Sequence, residues 1–530
     1  MEPIDSTLLL QRIERLNSIG AALSAERDHQ RLLEHILLGA KELTGADGGS
    51  LYILEDGRLS FRLVHTTSLN LHLGGNSPHP VAFAPIPLHK PDGSANDQMV
   101  VTRAALQNCI INIPDAYTDS EFDLSGTRAF DARTGYRSTS LLAVPMQDHE
   151  GRITGVLQLI NATNSAGDII PFSRADESLV ASLASQAAVT LNRQHLIEGL
   201  QTLLQALTRL IANAIDDKSP HTAGHCRRVP DITMALARAV NADDGPVFAG
   251  VNFDERDLEA LEMAAWLHDC GKIATPEYII DKHSKLETIF DRIHLVDARL
   301  ELLRREAELK QAQAKPVLDG ENLPSLDDID DIGNFLRRIN TGGEFLPDAD
   351  AARLQAIAAL PIPDPVTREP KPLLSKDELD NLSVRRGTLT DEERKRINNH
   401  VEITQRMLAS LPFPEHLRDV PLIAGSHHER MDGKGYPLGI PAGELPLQGR
   451  ILAIADIFEA LTASDRGYRQ ANTLSAALTI LARMCKEGHI DAQLYELFLR
   501  RKVYLDYAAS YLKPEQRDSV DTEAVCDIFC

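Results

Sequence analysis

The sequence predicts a multidomain protein in which an α+β domain, with a central antiparallel sheet and helices, precedes an all-α domain with a helical-arm insertion. Three observations predict this order. The chain has 530 residues, which is enough for two or three domains that each have a core. Runs of strand-forming residues separated by Gly- and Asp-containing turns fall between residues 50 and 160. Helical patterns that carry His and Asp residues follow residue 216.

The composition is that of a globular protein. Hydrophobic residues make up 43% of the chain and charged residues 25%. No apolar run approaches the ~18 residues that cross a bilayer, and residues 1–5 lack the layout of a signal peptide. The six cysteines form no CxxC pair. We therefore expect a cytoplasmic protein with reduced thiols and no membrane span.

The net charge of −22 argues against broad binding to DNA, RNA or anionic membranes. A small phosphate ligand is still compatible with this charge, provided that metal ions and a few Lys or Arg residues set the local field.

Residues 17–193 have the pattern of an α/β sensor domain. A helical stretch over residues 19–43 leads into a Gly-rich turn at residues 45–49. A closing helix is predicted from Asp176 towards His195. Between them, four strands are predicted at residues 50–54, 59–64, 140–145 and 155–160.

The end of this segment carries Asn161 and then the run Phe172-Ser173-Arg174-Ala175-Asp176-Glu177. With the strand order, it resembles a GAF domain, a small-ligand sensor module, which we place at residues 1–195. The run is similar to the Asn-Lys…Phe-x3-Asp-Glu signature of cyclic-nucleotide-binding members, but Ala162 stands at the Lys position. Without the salt bridge of that Lys, the resemblance implies an unidentified ligand or a dimerising role.

A connecting helix is predicted at residues 196–215. Its leucines repeat at spacings of 4, 3, 4 and 3 residues, which is a heptad seam; they are Leu196, Leu200, Leu203, Leu207 and Leu210. We expect this helix to pair two copies of the chain into a homodimer. The alternative is an ordinary buried helix face.

The domain after the connecting helix, residues 216–530, is interrupted at residues 283–388. A heptad-like stripe from Leu286 to Leu303 lies on a charged helix, and an Asp run and a Pro-rich stretch follow. We expect a protruding helical arm with a partly extended return. The Asp run at 327–331 lacks the Gly and terminal Glu of an EF-hand loop and is interpreted as a solvated face.

The candidate metal ligands are imidazoles and carboxylates distributed along this domain. They are His225, His268, Asp269, His400, His427, His428 and Asp456. We expect Gly271 to end the helix with His268, and a helix that starts at residue 389 to carry His400. Asp456 lies on an otherwise apolar helix, where a buried carboxylate is costly without a partner.

This ligand set favours Fe, Mn, Zn or similar ions over a structural Cys-type zinc site. Seven ligands exceed what one ion takes, so a cluster of two or more ions is implied. Two ions a few Å apart are the usual arrangement for phosphoester hydrolysis.

The order of these motifs resembles a known family. His268-Asp269 with Gly271-Lys272 is similar to the HD superfamily of metal hydrolases. His427-His428-Glu429 followed by Gly435-Tyr436-Pro437 resembles its HD-GYP members, which hydrolyse cyclic di-GMP. The resemblance implies that all seven candidates are metal ligands, with Fe or Mn the expected ions.

The resemblance also implies roles for residues around the metals. Asp269 and Lys272 match catalytic positions, and Lys272 would hold the scissile phosphate or assist the leaving oxygen. Tyr436, Arg466 and Arg469 match positions that contact the dinucleotide, although the two arginines could also be surface charge. Gly467 replaces the usual Pro of that loop.

One departure from the family pattern concerns the number of metal ions. His221 lies one helical turn before His225, where some family members carry a Glu that binds a third metal. Two or three divalent ions are therefore expected, and the alternative is that His221 only opens the helix after Pro220.

We therefore expect a GAF-regulated, metal-dependent phosphodiesterase that converts cyclic di-GMP to linear pGpG and possibly on to GMP. Two alternatives stay open. One is a receptor or adaptor that binds the dinucleotide with little turnover. The other is an HD hydrolase acting on another cyclic dinucleotide or on a nucleotide.

Overall fold

The computed structural model describes residues 6–26, 28–218, 224–312, 324–364, 366–367, 369–464 and 471–529. The chain divides into two compact units, Met1–Leu203 and Leu204–Cys530. Among the described residues, none of the helices combines the length and the apolar character needed to cross a bilayer.

The first unit is an antiparallel sheet with helices. Its helices are α1 (Ser6–Ala25), α2 (His29–Thr44), α3 (Val100–Gln107), α4 (Ser125–Thr134) and the start of α5 (Arg174–Asp216). Its strands are β1 (Ala46–Glu55), β2 (Arg58–Thr66), β3 (Leu71–Gly74), β4 (Ile86–Pro87), β5 (Ile111–Ile113), β6 (Leu141–Gln147), β7 (Ile153–Thr163) and β8 (Ile169–Ile170). The strand order is β3-β2-β1-β7-β6-β5, with β4 paired to β2 and β8 to β7. The four predicted strands are β1, β2, β6 and β7.

Alternation along the strands gives the sheet two apolar faces. Leu142 and Val144 of β6 join the core formed with α1, α2 and α5. Leu141 and Ala143 of the same strand join a second core with α3. Both faces of the sheet are therefore covered.

The helical stretch predicted over residues 19–43 is helical in the structure but is divided between α1 and α2. Asp28 begins the second helix by accepting a hydrogen bond from the backbone N–H of Arg31 at 2.9 Å. The closing helix is also longer than predicted, since α5 continues without a break through the connecting segment to Asp216.

Over its described residues, the second unit is helical apart from one short strand pair. Its helices are α6 (His225–Asn241), α7 (Glu255–Leu267), α8 (Glu277–Ile280), α9 (Ile293–Gln311), α10 (Leu326–Asn340), α11 (Asp348–Ala358), α12 (Lys376–Leu382), α13 (Asp391–Asn398), α14 (His400–Ala409), α15 (Val420–Ala424), α16 (Leu447–Thr462), α17 (Leu474–Lys486), α18 (Ala492–Arg500), α19 (Tyr504–Tyr511) and α20 (Thr522–Cys526). The strand pair is β9 (Pro361–Pro363) with β10 (Pro370–Pro372). The main core joins the end of α5 to α6, α7 and α15–α20.

The insertion folds as a packed helical sub-domain with its own core, which the sequence did not predict. Residues from Leu286 to Leu382 form a separate hydrophobic core that draws on α9 to α12 and on the strand β9. The heptad-like stripe does not form a seam, because its buried members, such as Leu300 and Leu303, pack against α10. The helices of the insertion therefore form a small sub-domain, and its Pro-rich stretch is partly extended as predicted, since it contains the paired strands β9 and β10.

The Asp run lies on α10, where it has structural partners. Asp328 closes a capping box with Ser325, and Asp331 pairs with Arg353 on the helix surface. These contacts match the solvated face that the sequence predicts.

Two buried lysines join the ends of the insertion. Lys282 Nζ donates to the Asn381 side chain at 2.8 Å and to the carboxylate of Glu393 on α13 at 2.8 Å. Lys285 Nζ donates to the carbonyl oxygens of Leu382 and Val384 at 3.1 and 2.7 Å. Burial lowers the pKa of Lys285 to about 8. The sub-domain is thus closed at its base, next to the helix that precedes His400.

Because the insertion has its own core, residues 283–388 expressed alone should fold cooperatively and be helical by circular dichroism. Leu336→Asp, at a fully buried position, should lower the melting midpoint by roughly 10 °C or more. The matched change Leu302→Asp, at a side chain that is 41% exposed, should shift it little. A broad, non-cooperative melt of the isolated segment would contradict the sub-domain.

Candidate metal centre

Seven side chains from five separate segments of the chain meet inside the second unit. His225 begins α6, His268 follows the last residue of α7, and Asp456 lies in the middle of α16. His400 follows α13, and His427 follows α15. The structure brings together all seven predicted ligands, and only His428 among them is not classed as buried.

Backbone carbonyls at helix ends orient three of the imidazoles. The Nδ1 atoms of His268, His400 and His427 face the carbonyl oxygens of Ala265, Ile397 and Ala424, at 2.8, 2.5 and 2.6 Å. Those carbonyls belong to the last turns of α7, α13 and α15, where backbone oxygens lack an intrahelical partner. A carbonyl only accepts, so each Nδ1 carries the proton and each Nε2 presents a lone pair.

The candidate ligand atoms form two groups of three, and a third group connects them because it shares one residue with each. His400, His427 and His428 make one group, and His225, His268 and Asp456 make the other. A further group consists of His268, Asp269 and His427, so it shares one histidine with each of the first two. Asp269 lies between them, with Oδ1 3.2 Å from His400 Nε2 and Oδ2 3.3 Å from His225 Nε2.

This arrangement fits metal cations. Asp269 Oδ1, His400 Nε2 and His427 Nε2 are buried and have no hydrogen-bond partner within the described parts of the chain. Leaving such acceptors unpaired is costly, and a cation between them removes that cost. The donors are nitrogen and oxygen without thiolate, which suits transition-metal ions such as Fe, Mn or Zn.

The protonation states agree with this interpretation. Burial lowers the pKa of His427 well below its usual value and that of His428 to about 4, so both rings are neutral at pH 7. Burial opposes charge on His225, but Glu459, Asp269 and Asp456 outweigh it and raise its pKa. A proton on His225 would therefore compete with a metal ion for the same position.

Lys272 lies beside the carboxylate of Asp269. Its Nζ donates to Asp269 Oδ2 at 2.5 Å, and its side chain is 19% exposed. Burial disfavours its charge, but the Asp269 carboxylate raises the pKa of Lys272 above its usual value. Lys272 therefore stays positive at the edge of the site.

Close backbone packing positions the His268-Asp269 segment. A Cβ on Gly271 would lie 2.0 Å from the carbonyl oxygen of His400, so only glycine fits there. Thr404 Oγ1 accepts from the Gly271 N–H at 2.9 Å and donates to the His268 carbonyl at 3.1 Å. These contacts hold α14 against the segment that carries Asp269.

Two predicted helix limits are wrong. Helix α7 ends at Leu267, not at Gly271, because the chain turns there into a 3-10 segment, Cys270–Ala274. The capping box of Thr390 with Glu393 is present, but α13 ends at Asn398 and His400 begins the next helix.

The predicted substrate residues are only partly described. Tyr436 lies over His428 with ring centroids 4.8 Å apart, and the Tyr436-Pro437 bond is cis. His221, Arg466 and Arg469 lie outside the described residues.

The sequence reasoning missed two residues behind His225. The fully buried carboxylate of Glu459 accepts from His225 Nδ1 and, at 2.7 Å, from Arg228 Nε. Its pKa is about 2, since His225 and Arg228 outweigh its burial. Glu459 lies three residues after Asp456 on the apolar α16. A carboxylate on an apolar helix is the pattern that indicates Asp456, and the same pattern indicates Glu459 as well.

The first unit contains a cavity of about 420 Å³ on the face of the sheet that packs against α3. Aromatic rings line it together with a few polar side chains. They include Tyr52, Phe61, Phe83, Tyr136, Arg133 and Gln158.

Ala162 stands where the GAF signature has a lysine, and another residue supplies the missing positive charge. Ala162 is 1% exposed within β7, and Asp176, the carboxylate of the signature, pairs with Arg12 of α1. The charge of Asp176 is therefore balanced from another element and does not require a residue at 162.

Comparison with family models decides the assignment of the two units. The GAF domain model matches residues 28–191. Models described as HD domain match residues 222–325 and 376–494. The chain carries a GAF domain followed by an HD domain. The predicted resemblance and fold class are thereby confirmed, while the exact limits 1–195, 196–215 and 216–530 stay predictions.

Several curated proteins resemble part of this chain. A 3'3'-cGAMP-specific phosphodiesterase of Vibrio cholerae serotype O1 is 41% identical over 279 residues, covering 52% of this chain and 35% of that protein. A cyclic di-GMP phosphodiesterase of Pseudomonas aeruginosa is 31% identical over 184 residues, covering 31% and 41%. A cyclic di-GMP phosphodiesterase response regulator of Xanthomonas campestris pv. campestris is 35% identical over 128 residues, covering 24% and 33%. The chain spans less than half the length of each.

Because Glu459 fixes His225, Glu459→Gln should weaken metal binding by about 10- to 100-fold. Competition with a chromogenic chelator would measure this directly, without an activity assay. Glu402→Gln, which changes an exposed carboxylate on α14, is the matched control and should bind metal like the wild type. Equal affinities for all three proteins would exclude a positioning role for Glu459.

Proposed function

We propose that this protein is a metal-dependent phosphodiesterase that hydrolyses a cyclic dinucleotide, with cyclic di-GMP converted to linear pGpG as the leading reaction. The observation that supports it most is the pair of ligand groups joined by Asp269, with Lys272 beside them. When bound, the ions would stabilise charge on the phosphoryl oxygens and ease deprotonation of the attacking water. The seven ligands described above would hold them.

The residues of the chain supply the remaining functions. Lys272 keeps a positive charge at the site edge and would bind a non-bridging phosphate oxygen or the leaving oxygen. Tyr436 presents a ring beside His428 that suits stacking on a base. Burial of Asp269 and His268 limits water around the reacting phosphate.

A second candidate substrate is 3'3'-cGAMP. The relative that matches 52% of this chain is named for that substrate, whereas the other two relatives described above are named for cyclic di-GMP. Product formation from the two dinucleotides, measured with one preparation at equal concentrations, separates the candidates. A tenfold preference for either would assign the substrate.

Replacement of Asp269 and replacement of Lys272 should affect metal content and hydrolysis differently. Asp269→Ala removes the carboxylate between the ligand groups, so metal content and hydrolysis should fall together. Lys272→Met leaves the seven ligands in place and should lower kcat by about 100-fold or more with little loss of metal. Metal analysis and product chromatography on the same samples would show this.

Retained hydrolysis in Asp269→Ala would contradict the metal assignment. If the metal-loaded wild type bound a cyclic dinucleotide but formed no linear product with any metal tested, the receptor or adaptor function would replace the proposed enzyme.

We further propose that the GAF domain regulates the hydrolase through a homodimer formed along α5. The five seam leucines are each between 46% and 67% exposed although they are large and apolar. A second copy of the same helix would cover them, since the heptad spacing matches a two-stranded coiled coil. A small molecule in the 420 Å³ cavity of the first unit would be the signal.

Disruption of the seam should dissociate the dimer. Leu200→Glu with Leu207→Glu places charges on the seam and should shift the mass measured by light scattering from dimer to monomer. Gln201→Glu with Thr202→Glu adds the same charge away from the seam and should leave a dimer. A monomeric wild type, or a dimeric Leu200→Glu/Leu207→Glu variant, would contradict this proposal.

A further inference from the structure

The segment from Glu429 to Pro446 crosses the site without regular secondary structure. Such a segment must be fixed by side chains or by close backbone contacts, because it has no helical or sheet hydrogen bonds of its own. It nevertheless carries Tyr436, which lies against the candidate ligand His428.

The buried carboxylate of Glu429 holds much of this segment in place. Glu429 is 4% exposed. Its Oε1 accepts from the backbone N–H groups of Leu438 and Gly439 at 2.7 and 3.2 Å, and Oε2 accepts from that of Ile440 at 3.0 Å. Three successive amides therefore point at one carboxylate, and such charge-assisted bonds are the stronger kind.

The opposite end of the loop is fixed by close contact. A Cβ on Gly435 would lie 2.5 Å from the Glu429 Cα and 2.4 Å from the Arg430 nitrogen, so the loop crosses directly over this backbone. The Tyr436 N–H then donates to the His428 carbonyl at 3.2 Å. Tyr436 is thus held between a glycine crossing on one side and the Glu429 carboxylate on the other.

Glu429 does not belong to the groups that could hold a metal within the described residues, and both of its oxygens are occupied by amides. We propose that Glu429 is a positioning residue, which holds loop 435–440 so that Tyr436 stays over His428 and the dinucleotide is received in one orientation. This inference rests on the proposed function for its kinetic consequence, but its structural part stands on the contacts alone.

The structural part is tested by hydrogen exchange of the full-length protein. In Glu429→Gln the amide group brings N–H donors towards backbone donors, so at least one of the three bonds is lost. Peptides covering residues 438–440 should then exchange roughly tenfold faster or more. Peptides covering α16 should exchange as in the wild type.

The kinetic part uses the same protein with its metals. Glu429→Gln should raise the KM for the hydrolysed dinucleotide by about tenfold while metal content stays equal and kcat changes less. Glu429→Asp keeps the charge on a shorter side chain and should give intermediate exchange and KM; it also keeps the test open if Glu429→Gln does not fold. A merely structural role would lower stability without this division between KM and kcat.

Asp432→Asn is the matched control from the same loop. Asp432 pairs with Arg430 and accepts from the Lys434 N–H, so its replacement should leave residues 438–440 protected and KM unchanged. Unaltered exchange in Glu429→Gln, loss of its metal, or an equal effect of Asp432→Asn would overturn the proposal. If the wild type hydrolyses no dinucleotide, the proposed function fails, while the exchange result still decides the role of Glu429.

Discussion

The packing of the second unit depends on a buried site in which imidazole nitrogens and carboxylate oxygens lie close together. His225 Nε2 lies 3.2 Å from Asp456 Oδ1 and 3.3 Å from Asp269 Oδ2. Three neighbouring imidazoles have their protons committed to backbone carbonyls. Such a cluster is unfavourable unless positive charge balances it. Lys272 supplies one charge at the edge, and a proton on His225, whose pKa the neighbouring carboxylates raise against its burial, supplies another when no metal is bound. Bound metal ions would balance the charge and also pair with the free lone pairs.

The surrounding fold serves this cluster by ending helices around it. The last turns of α7, α13 and α15 provide the carbonyls that orient three histidines, and the partial negative charge of helix C-termini also favours a cation. Asp216 caps the start of α6 by accepting from the Gly224 N–H at 3.0 Å, which places His225 at that start. The metal centre and the helical framework are therefore parts of one arrangement.

Much of this could be predicted from the sequence because the relevant signals are local. Runs of strand-forming residues between Gly- and Asp-containing turns predicted β1, β2, β6 and β7. The candidate ligands followed from their residue types, such as a carboxylate at Asp456 on an apolar helix, and the resemblance to the HD-GYP family implied that all seven bind metal. The insertion was misjudged because its heptad-like spacing fits a packed helix face as well as an arm, and only the partner helix α10 distinguishes them. Glu459 lies on the apolar helix α16 like Asp456, so the sequence carries a signal for its burial, but its contact with His225 joins residues far apart in the chain. The orienting carbonyls are backbone atoms, for which the sequence has no direct signal.

We expect the seven convergent side chains to hold at least two transition-metal ions. Metal analysis of the full-length protein, purified without oxygen and without added chelator, tests it most directly. We expect two or more ions of Fe, Mn or a similar metal per chain, retained through gel filtration. Less than one ion per chain, in protein that is folded and has been offered each of these metals, would contradict it.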